Sequence, residues 1–86
     1  MTYSALAKER ILRGLSQQDV AKRMGYSYPS TVSRFEAGLL LHAPAALVAA
    51  YAAATGIPAR RVARLLQGMG VTVLRKKVVD TEKMRA

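Results

Sequence analysis

Glycines divide the chain into segments of helical length, and this spacing is the feature that most constrains its fold. The positions at which a helix can end are Gly14, Gly25, Gly38, Gly56 and the Gly-Met-Gly run at 68–70. Glycine commonly ends a helix because it tolerates a positive φ. Each segment also opens on a residue typical of a helix start, namely Ser4, Ser16, Pro29, Pro44 and Pro58. The sequence therefore predicts an all-α domain of five short helices.

Apolar residues recur at helical spacing within these segments and predict the core. The first helix carries Leu6, Ile11 and Leu12. The inward positions are Val20, Ala21 and Met24 in the second helix, Val32 and Phe35 in the third, Leu47 and Tyr51 in the fourth, and Val62, Leu65 and Leu66 in the fifth. Arg60, Arg61 and Arg64 face outward on the fifth helix. We interpret them as a solvated face, with long-range electrostatic steering of a polyanionic partner as the alternative.

Charge and residue usage narrow the possible functions. The chain has 86 residues, 14 Lys+Arg against 5 Asp+Glu, and a net charge of +9, which indicates a polyanion partner such as nucleic acid, or an anionic membrane. It has no cysteine and a single histidine, so we expect no metal and no cofactor. No apolar run reaches transmembrane length and the first residues show no signal pattern, so we expect a small, soluble, cytoplasmic domain that does not bind membranes. A core this small would gain from dimerisation.

The segment at residues 15–38, LSQQDVAKRMGYSYPSTVSRFEAG, has the pattern of two short helices joined by a tight turn. Ser16 and Asp19 form a variant of the capping box at the start of its first helix. Ala21 is small enough for the two helices to cross closely, and Gly25 supplies the left-handed turn. Since Val32 and Phe35 bury one face of the second helix, the other face is free to enter a DNA major groove about 12 Å wide.

With these motifs, residues 10–38 resemble the lambda-repressor-like (Cro/cI, Xre) family of helix-turn-helix DNA-binding domains, and the similarity extends to about Leu66. The resemblance implies an internal ion pair between Arg10 and Glu36. It implies base contacts by Pro29, Ser30, Ser33 and Arg34, and phosphate contacts by Gln17 and His42. We add Tyr28 and Thr31 as further candidates for phosphate contact. The turn is one residue longer than the commonest version. The loop after the third helix, often basic in the family, reads LLLHA in this chain.

Each of these residues also has an ordinary structural interpretation. Arg34 could be a solvated surface charge, although arginine to guanine is the commonest specific base contact. Ser30 and Ser33 could cap a helix or face water. Tyr26 and Tyr28 could pack in the turn or donate to phosphate. The five acidic residues are scattered, and no nucleophile–base pair is present, so no catalytic residues and no enzyme activity are predicted.

We divide the chain into a DNA-binding domain at 1–66 and a hinge with a C-terminal tail at 67–86. The tail opens with VTVLRKKVV, whose β-branched residues favour a strand, while a helical pattern through Val71, Leu74 and Val78 is also present. A strand would have no partner in a helical domain, so we predict that it pairs with a second subunit and buries Val71, Val73 and Val79. A helix would bury Val71, Leu74 and Val78 against the same partner, so both forms predict a dimer. The alternative is a tail that touches DNA only through its charge.

Together these features predict a homodimeric transcriptional repressor that binds double-stranded DNA at a palindromic operator, of the minimal kind found in plasmids and phages. One alternative is an antitoxin-type regulator that also binds a protein partner through the Leu39–Leu41 loop or the tail. Another is an architectural protein that binds any duplex. Activation in place of repression also remains open, since it depends on where the operator lies.

Overall fold

The computed structural model describes residues 3–40 and 42–74. Five helices form in this part of the chain, as predicted: α1 (Ala5–Leu12), α2 (Gln17–Arg23), α3 (Ser30–Ala37), α4 (Ala45–Thr55) and α5 (Ala59–Gly68). Two short strands accompany them, β1 (His42–Pro44) between α3 and α4, and β2 (Thr72–Leu74) after α5. The described residues thus form a mostly helical domain with one small sheet.

Two serines start the first two helices through their side chains. The hydroxyl of Ser4 accepts a hydrogen bond from the Ala7 backbone N–H at 3.1 Å. Ser16 and Asp19 form the predicted capping box, with the Asp19 N–H donating to the Ser16 hydroxyl at 3.0 Å and the Ser16 N–H donating to the Asp19 carboxylate at 2.9 Å. The hydrogen bond from the Ser16 backbone, followed by the one with its side chain, lowers the pKa of Asp19.

A single hydrophobic core joins all five helices, and most of the predicted inward residues lie in it. Those that are buried are Val20, Ala21, Val32, Phe35, Tyr51, Val62 and Leu66, together with Leu6 of α1. Met24, Leu47 and Leu65 are half-buried and pack against the core. Ile11 and Leu12, the other apolar residues that the first helix was predicted to carry, are exposed, because Leu6, Ala7 and Arg10 form the buried face of α1.

The strand predicted after the fifth helix exists, but its partner is in the same chain. β2 pairs in parallel with β1, in the register His42 with Thr72, Ala43 with Val73 and Pro44 with Leu74. The expectation that such a strand has no partner within its own domain is therefore wrong. Residues 39–43, predicted to be a loop, include two residues of β1.

This pairing changes the interpretation of the residues predicted for dimerisation. Val71 is only 3% exposed and belongs to the core of its own chain, so it is not available to a second subunit. Val73 is half-buried against the same core, and Leu74 remains 42% exposed. Val78 and Val79 lie outside the described residues.

The predicted hinge at residues 67–70 also has a definite structure. Gln67 and Gly68 form the last turn of α5, and Met69 packs against the core. A Cβ placed on Gly38 would lie 3.3 Å from the Cβ of Met69, and Gly38 has a φ of +72°. Glycine at position 38 therefore ends α3 and lets the chain after α5 approach it closely. The core extends beyond residue 66 and includes Val71.

Within the described residues, no helix has the length and apolar character needed to cross a membrane.

Candidate nucleic-acid interface

One face of α3 carries polar side chains that the rest of the described chain leaves exposed. Ser30, Ser33 and Arg34 are all exposed. They lie at positions i, i+3 and i+4, which share one face of a helix. Val32 and Phe35 are buried on the other side, as predicted. α3 thus has a buried face that fixes it and a polar face that is free to bind.

α2 packs against α3 and holds it in place. Val20 and Ala21 of α2 are completely buried, which agrees with the requirement for a small residue where the two helices meet. Gly25 follows α2 with a φ of +88°, a conformation that favours glycine. The Tyr26 N–H then donates to the Ala21 carbonyl at 2.8 Å and closes the turn. The helix-turn-helix geometry follows from these contacts.

The carboxylate of Glu36 lies at the centre of a buried polar network behind α3. Arg10 donates from Nε to Glu36 Oε2 at 2.6 Å, so the structure brings together the two residues for which the sequence implied an ion pair. The Tyr51 hydroxyl donates to the same oxygen at 2.6 Å, and Gln17 Nε2 donates to Oε1 at 3.1 Å. Because these donors come from α1, α4 and α2, one side chain of α3 connects to three other helices.

The network is satisfied in full, which is what a buried charge requires. Arg10 also donates from Nη1 to the Leu15 carbonyl at 2.8 Å, which ties α1 to the segment before α2. Among the described residues, every buried side-chain nitrogen and oxygen has a hydrogen-bond partner. The network therefore serves to hold α3 in place.

Gln17, predicted to contact phosphate, combines this structural bond with a place at the surface. It is half-buried, and its Nε2 carries a second N–H besides the one that reaches Glu36. It lines an open groove of about 680 Å³ together with Ser16 and Ser33. Gln17 therefore lines the same groove as Ser33, one of the residues predicted to contact bases.

The other four residues predicted to contact DNA lie at the start of α3, in the turn before it and in β1 after it. Pro29 is the N-cap residue of α3, and Thr31 lies in its first turn; both are half-buried. Tyr28 is 75% exposed in the turn before α3. His42 is exposed and lies in β1, on a separate element that follows α3.

The arginines of α5 are not equivalent. Arg61 donates to Glu9 of α1 at 2.6 Å, and Arg13 donates to the other oxygen of the same carboxylate at 2.8 Å. Hydrogen bonds from Arg13 and then Arg61 lower the pKa of Glu9. Arg61 thus links two helices, whereas Arg60 and Arg64 are simply exposed.

Two structural contacts of this region had no signal in the sequence. The Tyr51 hydroxyl reaches Glu36 from α4, although Tyr51 was assigned only to the apolar core. Arg23 donates to the Ala54 carbonyl at 2.9 Å and joins α2 to α4. Both depend on how α4 crosses the helix pair, and helical periodicity does not report that crossing.

Two short helices joined by a glycine turn, with a polar exposed face on the second and supporting helices behind, define a helix-turn-helix DNA-binding domain. A helix-turn-helix family model of the Cro/C1 type matches residues 6–62, well over half of the chain. The chain belongs to this family, and it is a DNA-binding transcription regulator. A search of curated proteins and a search of solved structures each returned no significant match.

Proposed function

We propose that the protein is a transcriptional repressor that binds a palindromic operator as a homodimer, with α3 of each subunit in the major groove. The observation that carries this proposal is the exposed polar face of α3. Val32, Phe35 and Glu36 are buried on the other side of the helix and hold it against the core. A reading surface must be rigid to distinguish bases, and the buried network behind α3 supplies that rigidity. Repression follows from occupying a promoter that polymerase also needs.

Base recognition is assigned to Pro29, Ser30, Ser33 and Arg34. Arg34 has the fork of donors that matches guanine O6 and N7, and its exposed position on α3 supports this role. Ser30 and Ser33 share its face of the helix and can donate to or accept from base edges. Pro29 lies directly before the helix, where an apolar contact with a thymine methyl group is the available interaction.

Backbone contacts are assigned to Gln17, Tyr28, Thr31 and His42. Tyr28 is 75% exposed, and its hydroxyl is a donor suited to a phosphate oxygen. The net charge of +9 supplies the counterion-release part of the affinity. These contacts fix the position of the protein on the duplex, while α3 selects the sequence.

A second subunit is assigned to Leu74 of β2 and to Val78 and Val79, which lie outside the described residues. Leu74 remains 42% exposed on β2, and Leu39 is 70% exposed after α3. A two-fold dimer would place the same apolar residues of both chains against each other. Leu39 would serve the antitoxin-type alternative equally well. We prefer the repressor because it needs only DNA and a second copy of the chain.

Selection of bound sequences from a random duplex pool tests the proposal as a whole. A repressor should enrich a palindrome whose half-site centres lie about 34 Å apart, one helical turn. It should bind that site at least about 10³-fold more tightly than random DNA. Enrichment of a single asymmetric half-site would contradict the dimer. No enrichment of any sequence would leave the architectural alternative as the function.

Arg34→Ala is the sharpest test of base recognition. It should cost about 1–3 kcal/mol on the selected site and relax specificity at one base pair in each half-site. The matched control is Arg60→Ala, which removes the same charge from an exposed position on α5. Affinities measured by fluorescence anisotropy on selected and random duplexes should show a site-specific loss for Arg34→Ala alone. An equal loss on both duplexes would reassign Arg34 to the phosphate backbone.

A further inference from the structure

We propose that Tyr51 is a positioning residue of the DNA-binding surface: its hydroxyl fixes the Glu36 carboxylate, and Glu36 in turn fixes the Gln17 amide for the DNA backbone. The inference rests on the proposed phosphate contact of Gln17. It gives a side chain of α4 a part in DNA binding without any contact to DNA, since Tyr51 is completely buried.

The geometry of the carboxylate carries the argument. Tyr51 Oη and Arg10 Nε both donate to Glu36 Oε2, each at 2.6 Å, whereas Gln17 Nε2 occupies Oε1 at 3.1 Å. A carboxylate with one strong donor can still turn about its terminal bond, because rotation about such sp³–sp² torsions is only weakly restricted. Two donors from different helices on one oxygen remove that freedom. The other oxygen is then held toward Gln17.

The position of the Tyr51 hydroxyl is itself fixed. Its ring packs against Phe35 of α3, with the ring centroids 4.8 Å apart and the planes tilted by 40°. Burial, followed by the hydrogen bond to Glu36 and its charge, raises the pKa of Tyr51 above the usual 10. The hydroxyl therefore keeps its proton at neutral pH and remains a donor. Tyr51 transmits the rigidity of the core to Glu36.

The consequence for binding lies in the Gln17 amide. One of its N–H groups is engaged by Glu36, so the side chain is already ordered before DNA arrives. The second N–H is then available from a nearly fixed position beside the groove that Ser33 also lines. An ordered donor loses less conformational entropy on binding than a free one. Loosening Glu36 should therefore weaken the contact that Gln17 makes.

The test is a double-mutant cycle on DNA affinity with Gln17→Ala and Tyr51→Phe in the full chain. Gln17→Ala should weaken binding about tenfold on every duplex, as expected for a hydrogen bond to a charged group. Because glutamine is uncharged, the salt dependence should stay the same. Tyr51→Phe should weaken binding about threefold, the ordering cost of one side chain. In the Gln17→Ala background it should have no further effect.

Thr55→Val is the matched control. Thr55 carries another buried hydroxyl on α4, which donates to the Tyr51 carbonyl at 2.8 Å and is not bonded to Glu36. It should lower the melting temperature and leave DNA affinity unchanged. Binding is measured at a temperature at which circular dichroism shows each variant to be folded. If Tyr51→Phe does not fold, Tyr51→Met replaces it, since methionine fills irregular space and has no hydroxyl.

The outcomes distinguish failure of the proposed phosphate contact of Gln17 from failure of the positioning role of Tyr51. If Gln17→Ala leaves DNA affinity unchanged, the proposed phosphate contact fails and the role of Tyr51 fails with it. If Gln17→Ala weakens binding but Tyr51→Phe does not, only the positioning role fails. If Tyr51→Phe weakens binding equally with and without Gln17, its effect is structural and the inference is overturned. Support requires that the effect of Tyr51→Phe depend on Gln17.

Discussion

Arg10→Met should lower the free energy of unfolding by about 3–5 kcal/mol, the cost of leaving a buried charge without its partner. Glu36 would remain in the core with Tyr51 and Gln17 as its hydrogen-bond donors and no positive charge beside it. Methionine keeps most of the apolar volume of the arginine side chain, so the effect reports the charge and its hydrogen bonds. Since native proteins are stable by only about 5–15 kcal/mol, this loss is a large fraction of the total stability. Urea denaturation followed by circular dichroism measures the difference.

Arg13→Met is the control, because it makes the same substitution three residues further along the chain, at the C-cap of α1. Arg13 pairs with Glu9 at 2.8 Å at the surface, in an i,i+4 arrangement. Exposed pairs of this kind contribute little to stability, so Arg13→Met should unfold at nearly the same urea concentration as the unmodified chain. If the two variants unfold at the same urea concentration, the Arg10–Glu36 pair does not hold the helices together, and the rigidity assigned to α3 loses its basis.

The helices and most of the core were predictable because local signals specify them. Ser16 and Asp19 are three residues apart, and their reciprocal hydrogen bonds need nothing from the rest of the chain. The buried face of α3 follows from the spacing of Val32 and Phe35, since helical period alone puts them together. The same period identified Ser30, Ser33 and Arg34 as the exposed face. Fold class and the candidate reading surface therefore follow from local chemistry and the family pattern.

The parallel strand pair was not predictable from the same signals. Each strand has three residues, too few to show an alternation of apolar and polar side chains. β1 also ends at Pro44, a residue that predicts the start of α4, so the sequence gives no separate signal for a strand before it. The pairing depends on the turn after α5 returning the chain past Gly38, a contact between residues some thirty positions apart. Such contacts are set by packing, and one sequence does not report packing.

The ion pair of the Glu36 network was predictable, but its hydrogen bond from α4 was not. The family pattern implied that Arg10 would reach Glu36, but nothing in the pattern implied a donor from α4. Tyr51 has the spacing of a core residue, and its ring is indeed in the core against Phe35. Its hydroxyl meets the carboxylate because α4 crosses behind α3 at that point. Periodicity identifies which face of a helix is buried; it does not identify what that face meets.

Because β2 pairs with β1, the position at which the chain is truncated determines whether a truncation tests folding or dimerisation. Val71 is buried in the core, and β2 supplies the partner of β1, so a cut before Val71 removes part of the fold itself. A cut after Leu74 leaves the whole described domain. Only the second truncation can test whether the remaining residues, including Val78 and Val79, hold two subunits together.

Deleting residues 71–86 should therefore destabilise the domain by roughly 3 kcal/mol or more, because it removes the buried Val71 and the half-buried Val73 and exposes Ala43 beneath them. Deleting residues 75–86 should leave the melting temperature measured by circular dichroism close to that of the full chain. If the proposed dimer forms through Val78 and Val79, this shorter deletion should sediment as a folded monomer at micromolar concentration and bind the palindrome far more weakly than the full chain. A folded dimer would instead assign the interface to the exposed Leu39 and Leu74. Equal melting temperatures for the two deletions would show that β2 contributes nothing to the stability of the helices, and would contradict the stabilising role of the strand pair.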